Sequence, residues 1–160
     1  MSADQVVAKM MAELATELKE LAGVGMFRCD VYTNLVSGKS RLVLDVEPQQ
    51  ASGATAIRVI YDAEGQTLTA SLGRHCHLEL FAGATRLANS FGQIRTLARS
   101  VIEGGFSEAV YSFRGRPVKS VGRASPSGLT FTRWLSVAAV LPGKKEAVYA
   151  YGPYLATRPS

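Results

Sequence analysis

Short segments in which apolar and polar residues alternate, separated by turn residues, recur along most of the chain. Successive side chains of an extended strand point to opposite faces, so each segment predicts a strand with one apolar face. In the first segment, Phe27, Cys29, Val31, Thr33 and Leu35 share a face. Strands that are adjacent in sequence and joined by short turns favour an antiparallel sheet. The predicted strands span residues 26–36, 41–47, 56–62, 67–72, 74–81, 106–113, 117–121, 129–141 and 146–152.

Two other stretches have apolar residues at helical spacing. The stripe of the N-terminal helix comprises Val7, Met10, Met11, Leu14, Leu18 and Leu21. The stripe of a central helix, at about 84–103, comprises Leu87, Phe91, Ile94, Leu97, Ala98 and Val101. Such helices bury their stripes on a sheet. The sequence therefore predicts a single α+β domain over residues 1–160, with both helices on one face of a curved antiparallel sheet of about seven to nine strands.

Cysteine usage and hydropathy bear on the compartment. Cys29 and Cys76 fall at inward strand positions, which predicts two buried, reduced thiols. No apolar run approaches the roughly 20 residues that span a bilayer, and residues 1–14 do not resemble a secretory signal. We therefore expect a cytoplasmic protein that does not engage a membrane.

Charge is distributed unevenly along the chain. Residues 1–81 contain 7 Lys and Arg against 10 Asp and Glu, whereas residues 82–160 contain 11 against 3. A basic C-terminal half predicts an anionic partner, which could be a nucleic acid, an acidic protein surface or phosphate.

Basic residues concentrate in and after the segment Phe-Arg-Gly-Arg-Pro at 113–117. Arg-Gly-Arg-Pro resembles the core of a minor-groove AT-hook, but its place between two strand patterns favours a hairpin turn. Tyr111, Phe113 and Trp134 would allow stacking with a single strand, although such residues more often lie in a core or on a sheet face. The predicted partner-binding residues are Arg114, Arg116, Lys119, Arg123 and Arg133.

The two histidines of the chain lie in the segment Arg-His-Cys-His-Leu-Glu-Leu, residues 74–80. On a strand, His75, His77 and Glu79 share one face, and together they could ligate a zinc-like ion with one open position. Cys76 points to the other face. An ordinary polar strand face explains the same residues without metal, so the metal site is an alternative and no cofactor is required.

Residues 57–123 resemble small uncharacterised bacterial domains of the toxin-immunity type. The resemblance rests on His75-x-His77 followed by a helix, by Gly104-Gly105, and by a strand and hairpin. It implies a non-enzymatic module that occludes a protein partner. In that pattern an aromatic residue follows the second histidine, where this chain has Leu78.

Common catalytic motifs, such as G-x-S-x-G, the P-loop and C-x-x-C, do not occur in the sequence. The sequence therefore favours a non-enzymatic protein-binding module of immunity or adaptor type. The alternatives are a nucleic-acid-binding protein that uses the basic half and a metal-dependent enzyme that uses the histidine segment. An open sheet edge would also permit pairing with a second copy.

Overall fold

A computed structural model describes residues 3–22, 27–36, 38–49, 53–83 and 85–154. Within these residues the fold is α+β, with two helices and nine strands in two antiparallel sheets. The predicted class, the two helices and the strand number are confirmed. The strands form two sheets of five and four, rather than one continuous curved sheet.

The first half of the chain forms helix α1, Ala3–Ala22, and a five-stranded meander. Neighbouring strands pair in sequence order because short turns connect most of them. The strands are β1 Phe27–Val36, β2 Lys39–Pro48, β3 Ile57–Asp62, β4 Thr67–Leu72 and β5 Cys76–Phe81.

Helix α2, Leu87–Ile102, leads into the four-stranded sheet, whose spatial order is β8-β7-β6-β9. A 3₁₀ helix, Val137–Val140, lies in the connection that returns the chain from β8 to β9. The strands are β6 Phe106–Phe113, β7 Arg116–Ala124, β8 Leu129–Trp134 and β9 Lys145–Ala150.

One hydrophobic core connects both helices with both sheets. All six residues of the predicted α2 stripe are buried, as are Val7, Met11, Leu14 and Leu18 of the α1 stripe. Phe106 and Phe131 bring the four-stranded sheet into the core, where their rings stack with centres 6.3 Å apart. The edge strands β5 and β8 lie side by side, so the two sheets meet there.

Strands β1 and β8 both differ from the sequence prediction in how far they follow the predicted pattern. The apolar face of β1 is buried at Phe27 and Cys29, but Leu35 is 73% exposed because the core covers only the first part of the strand. Strand β8 ends at Trp134 instead of continuing to Leu141. Ser136 ends the extended conformation because its hydroxyl accepts a hydrogen bond from the Ala138 N–H, 3.2 Å away, which starts the 3₁₀ helix.

Candidate functional site

The arginine-rich segment forms the hairpin between β6 and β7. Arg114 and Gly115 both have positive φ, +50° and +77°, which is the backbone of a tight two-residue turn. The side chains of Arg114 and Arg116 are exposed, and the Arg114 guanidinium lies 5.3 Å from the centre of the Phe113 ring. The predicted hairpin is confirmed, and it presents two arginines at one end of the four-stranded sheet.

Lys119 lies between two aromatic residues on the outer face of the four-stranded sheet, the face opposite Phe106 and Phe131. It pairs with Tyr111 of β6 on one side and with Trp134 of β8 on the other. The Lys119 ammonium is 5.3 Å from the Tyr111 ring centre and 5.0 Å from the Trp134 ring centre. Contacts of this kind stabilise by about 0.5–1 kcal/mol at exposed sites. They hold a cation over an indole that remains 59% exposed.

A cluster of exposed apolar side chains, which we call the Trp134 patch, begins at the end of β8. It consists of Trp134, Val137, Val140 and Leu141, which are 59%, 90%, 76% and 43% exposed. The first three line a groove of about 600 Å³. The largest exposed apolar patch on a protein is often a binding site.

The backbone fixes the orientation of the Trp134 patch. The N–H groups of Leu135 and Ser136 both donate to the carbonyl oxygen of Val118, at 2.9 and 3.2 Å, which anchors the chain to β7. Within the 3₁₀ helix only Ala139 is buried. The valines on either side of it therefore project away from the protein.

A second groove, of about 680 Å³, lies beside the first and shares Leu135 and Ser136 with it. Arg114 and Arg116 line this second groove together with Pro117. An apolar surface and a cationic surface are thus neighbours at one end of the four-stranded sheet.

The structure does not gather the five predicted basic residues into one cluster. Lys119 and Arg123 share the outer face but stand four residues apart on β7, about 13 Å. Arg133 faces the other way and donates a 3.4 Å hydrogen bond to the carbonyl oxygen of His75. Arg114, Arg116 and Lys119 are the three that lie near the Trp134 patch.

The ion pairs of the described chain all lie in its first part. The ion pairs found among the described residues all join residues between Lys9 and Arg99. Among all the residues that the structure describes, no carboxylate lies within ion-pairing distance of Arg114, Arg116 or Lys119. Their charges therefore remain available to a partner.

The histidine segment does not form the predicted constellation. His75 lies in the turn between β4 and β5 rather than on the strand, whereas His77 and Glu79 lie on β5. His77 Nδ1 is 3.1 Å from Ser71 Oγ. In the described parts of the chain no group of three or more His, Cys, Asp or Glu is placed to hold a metal ion. The zinc-like site thus has no support from the geometry.

The imidazole of His77 gives a local test of how the two sheets meet. Burial lowers the pKa of His77 below its ordinary value of 6.5, and the positive charge of Arg133 lowers it further. We expect Arg133→Ala to raise this pKa, because it removes the like charge. Arg123→Ala, which removes a cation from the opposite face, should leave the pKa unchanged. An NMR pH titration of His77 in both variants measures the difference, and an equal pKa in both would contradict the placement of Arg133.

Glu108, in the middle of β6, is fully buried and joins the two sheets. Its carboxylate accepts hydrogen bonds from the backbone N–H groups of Arg74 and His75, at 2.7 and 2.8 Å, and from the Tyr151 hydroxyl at 2.9 Å. Burial raises the pKa of Glu108, but these hydrogen bonds outweigh it and hold the pKa below its ordinary value of 4.5. The ionised carboxylate therefore connects β6 to the turn before β5 and to Tyr151.

The buried thiols are poor nucleophiles. Burial raises the pKa of Cys76 to about 12 and that of Cys29 to about 11. Since the thiolate is the reactive form, neither side chain has the chemistry of a catalytic cysteine. Both cysteines are buried and free, as predicted.

Comparisons of the chain with protein families, with characterised proteins and with solved structures give no match. The resemblance of residues 57–123 to toxin-immunity domains therefore stays a prediction. No helix in the described residues is both long and apolar enough to cross a bilayer.

Proposed function

We propose that this protein is a non-enzymatic binding module, of adaptor or immunity type, that recognises an acidic protein surface. The contact surface is the Trp134 patch together with Arg114, Arg116 and Lys119. The observation that carries the proposal is the juxtaposition of apolar side chains up to 90% exposed with cations that, in the described chain, have no carboxylate within ion-pairing distance.

Both halves of this surface have a physical role in binding. Tryptophan and arginine dominate measured binding energies at protein interfaces, because a large side chain is desolvated at the centre of the contact. Arginine can form two parallel hydrogen bonds to one carboxylate, which adds orientation to attraction. The positive potential also speeds encounter with an acidic partner.

A single-stranded nucleic acid is the second candidate. The observation that favours it is Lys119 held between Tyr111 and Trp134, since bases stack on exposed aromatic rings beside cations. The aliphatic side chains of Val137, Val140 and Leu141 favour a protein instead, because stacking and phosphate contacts do not need them. Binding of a nucleic acid would weaken steeply as salt rises.

Two matched variants test the proposal. Val137→Asp with Arg116→Glu alters the proposed surface, and Leu35→Asp with Arg86→Glu makes the same changes at exposed positions elsewhere. Each protein is immobilised and used to capture partners from an extract of the source organism at moderate salt, with protein and nucleic acid both quantified. We expect a stoichiometric acidic protein on the wild type and on the control. The surface variant should retain at least about tenfold less, because lost burial and reversed charge cost more than about 1.4 kcal/mol.

Thermal unfolding separates binding from folding. All substituted side chains are exposed, so both variants should unfold within a few degrees of the wild type. A partner retained equally by both variants would contradict the proposal. Capture of nucleic acid that salt releases would replace it with the second candidate.

A further inference from the structure

Strand β9 is an edge strand of the four-stranded sheet. It pairs with β6 on one side, and within the described chain no strand lies on its other side. Edge strands are commonly protected by charged side chains, by proline or by a bulge. The charged residues of β9 are Lys145 and Glu146, both at its start. β9 has no proline, and its pairing with β6 is regular over six residue pairs. Val148, at its centre, is 66% exposed.

The hydrogen bonds between β9 and β6 show which backbone groups of β9 are not used in that pairing. The N–H of Tyr151, just past the strand, donates to the carbonyl oxygen of Phe106 at 3.1 Å, and so points towards β6. Backbone groups alternate in direction along a strand. The N–H and C=O groups of Glu146, Val148 and Ala150 therefore point away from β6, and in the described chain no backbone group bonds to them. Just past the strand, the N–H of Gly152 also points away from β6 and donates to the carbonyl oxygen of Gly53 at 3.0 Å.

The side chains that flank this edge have different chemistry on the two faces. On the outer face, which also carries Trp134, the exposed residues at the edge are Glu146 at the start of the strand, then Val148 and Ala150. On the opposite face, Lys145 is exposed, and the Arg74 guanidinium lies 4.1 Å above the Tyr149 ring. One face of the edge is thus apolar at its centre and the other is cationic.

We propose that an extended segment of the partner adds to the four-stranded sheet as a strand alongside β9. The inference rests on the proposed function and specifies its partner. Side chains of an added strand lie beside those of β9, so its residues alternate between apolar side chains next to Val148 and Ala150 and carboxylates next to Lys145 and Arg74. Backbone hydrogen bonds supply affinity, and this alternation supplies specificity. The same partner reaches the Trp134 patch over the outer face.

A synthetic peptide and one proline test this proposal. The probe is a fluorescein-labelled octapeptide of alternating glutamate and valine, compared with a lysine–valine octapeptide, and binding is read by fluorescence anisotropy. Val148→Pro removes an outward N–H without removing a hydrogen bond to β6. Val148→Thr keeps that N–H and is the control. We expect the wild type and Val148→Thr to bind the glutamate–valine peptide. Val148→Pro should bind at least tenfold more weakly, and the lysine–valine peptide should not bind.

Several results would overturn strand addition. The first is that Val148→Pro and Val148→Thr bind the glutamate–valine peptide equally, with both variants folded by circular dichroism. The second is that the wild type binds both peptides equally well. The third is that the wild type binds neither peptide at concentrations up to about 1 mM. If the free protein is a dimer in light scattering and Val148→Pro is a monomer, the occupant of the edge is a second copy and the proposal is wrong.

The outcomes also separate the two proposals. If the captured partner is lost in Val137→Asp with Arg116→Glu but retained by Val148→Pro, strand addition fails and the proposed function stands. If the surface variant, Val148→Pro and the control all retain the captured partner, the proposed function fails, whatever the result of the peptide-binding assay.

Discussion

Replacing Glu108 with alanine is expected to lower the free energy of unfolding by about 3–5 kcal/mol, because three donors lose their acceptor inside the protein. Two of them are the backbone N–H groups of Arg74 and His75, and the third is the Tyr151 hydroxyl. The loss is a large part of the stability of an ordinary domain. Urea unfolding followed by circular dichroism measures it.

Glu146 provides the matched control. It is the other carboxylate of the four-stranded sheet, it is exposed, and its contact is a 3.1 Å hydrogen bond from the Tyr111 hydroxyl. Glu146→Ala should change the free energy of unfolding by no more than about 0.5 kcal/mol. Equal urea midpoints for the two alanine variants would show that Glu108 does not join the sheets.

The stabilisation by Glu108 should depend on pH in one direction. Because its pKa is lower in the folded protein than the ordinary value of 4.5, the ionised form stabilises the fold above that pH. The contribution is lost as pH falls from about 4.5 through the folded-state pKa. We therefore expect the wild type to exceed Glu108→Gln in stability at pH 7, and the difference to shrink on acidification below pH 4.5. A difference that stays constant from pH 7 to pH 3 would contradict this assignment.

The periodicity of apolar residues in the sequence was sufficient to predict the two helices and most of the strands. Each needs one buried face, and the spacing of apolar residues records it. The division into two sheets has no comparable local signal, and the contacts that join the sheets connect residues far apart in sequence, as Glu108 does with Arg74 and His75. Glu108 itself stands in phase with the buried Phe106 and Val110. A charge on the apolar face of a strand is a signal of a buried polar contact that could have been noticed.

The candidate site was predictable only in part. The run from Phe113 to Arg123 identified the hairpin and three cations near the Trp134 patch. The patch itself was missed, because residues 135–141 are mostly apolar and fit a buried strand as well as an exposed turn. The distinguishing feature was Ser136, whose hydroxyl ends the strand by capping the 3₁₀ helix. Arg133 was grouped with the other predicted partner-binding residues, but it lies on the face opposite Lys119. The sequence does not reveal this, because Phe131 and Trp134 are both large and apolar and either could have been the buried one.

The second large effect is expected where β5, β7 and β8 meet. A Cβ atom on Gly122 would lie 2.5 Å from Cζ of Phe131 and 2.9 Å from Sγ of Cys76, both closer than van der Waals contact. Gly122→Val should therefore destabilise the protein by about 1–3 kcal/mol or more, because the stacked Phe131 ring cannot move without disturbing Phe106. Urea unfolding is again the measurement.

Gly92, in α2, is the matched glycine, because a Cβ there meets no atom within 4 Å. Gly92→Ala should stabilise the protein by up to about 1 kcal/mol, through the higher helix propensity of alanine. Loss of stability in both glycine variants would point to a general sensitivity of the fold rather than to a clash at Gly122.

A double variant identifies the clash and connects it to binding. Phe131→Leu removes the ring atoms nearest to Gly122, so Gly122→Val should cost less in that background than in the wild type. If the two losses are additive, the ring is not the obstacle. Phe131 stands three residues before Trp134 on β8, so a shift of Phe131 also moves the indole of the proposed surface. We therefore expect Gly122→Val to weaken partner capture even at temperatures where the variant remains folded, while Gly92→Ala leaves capture unchanged.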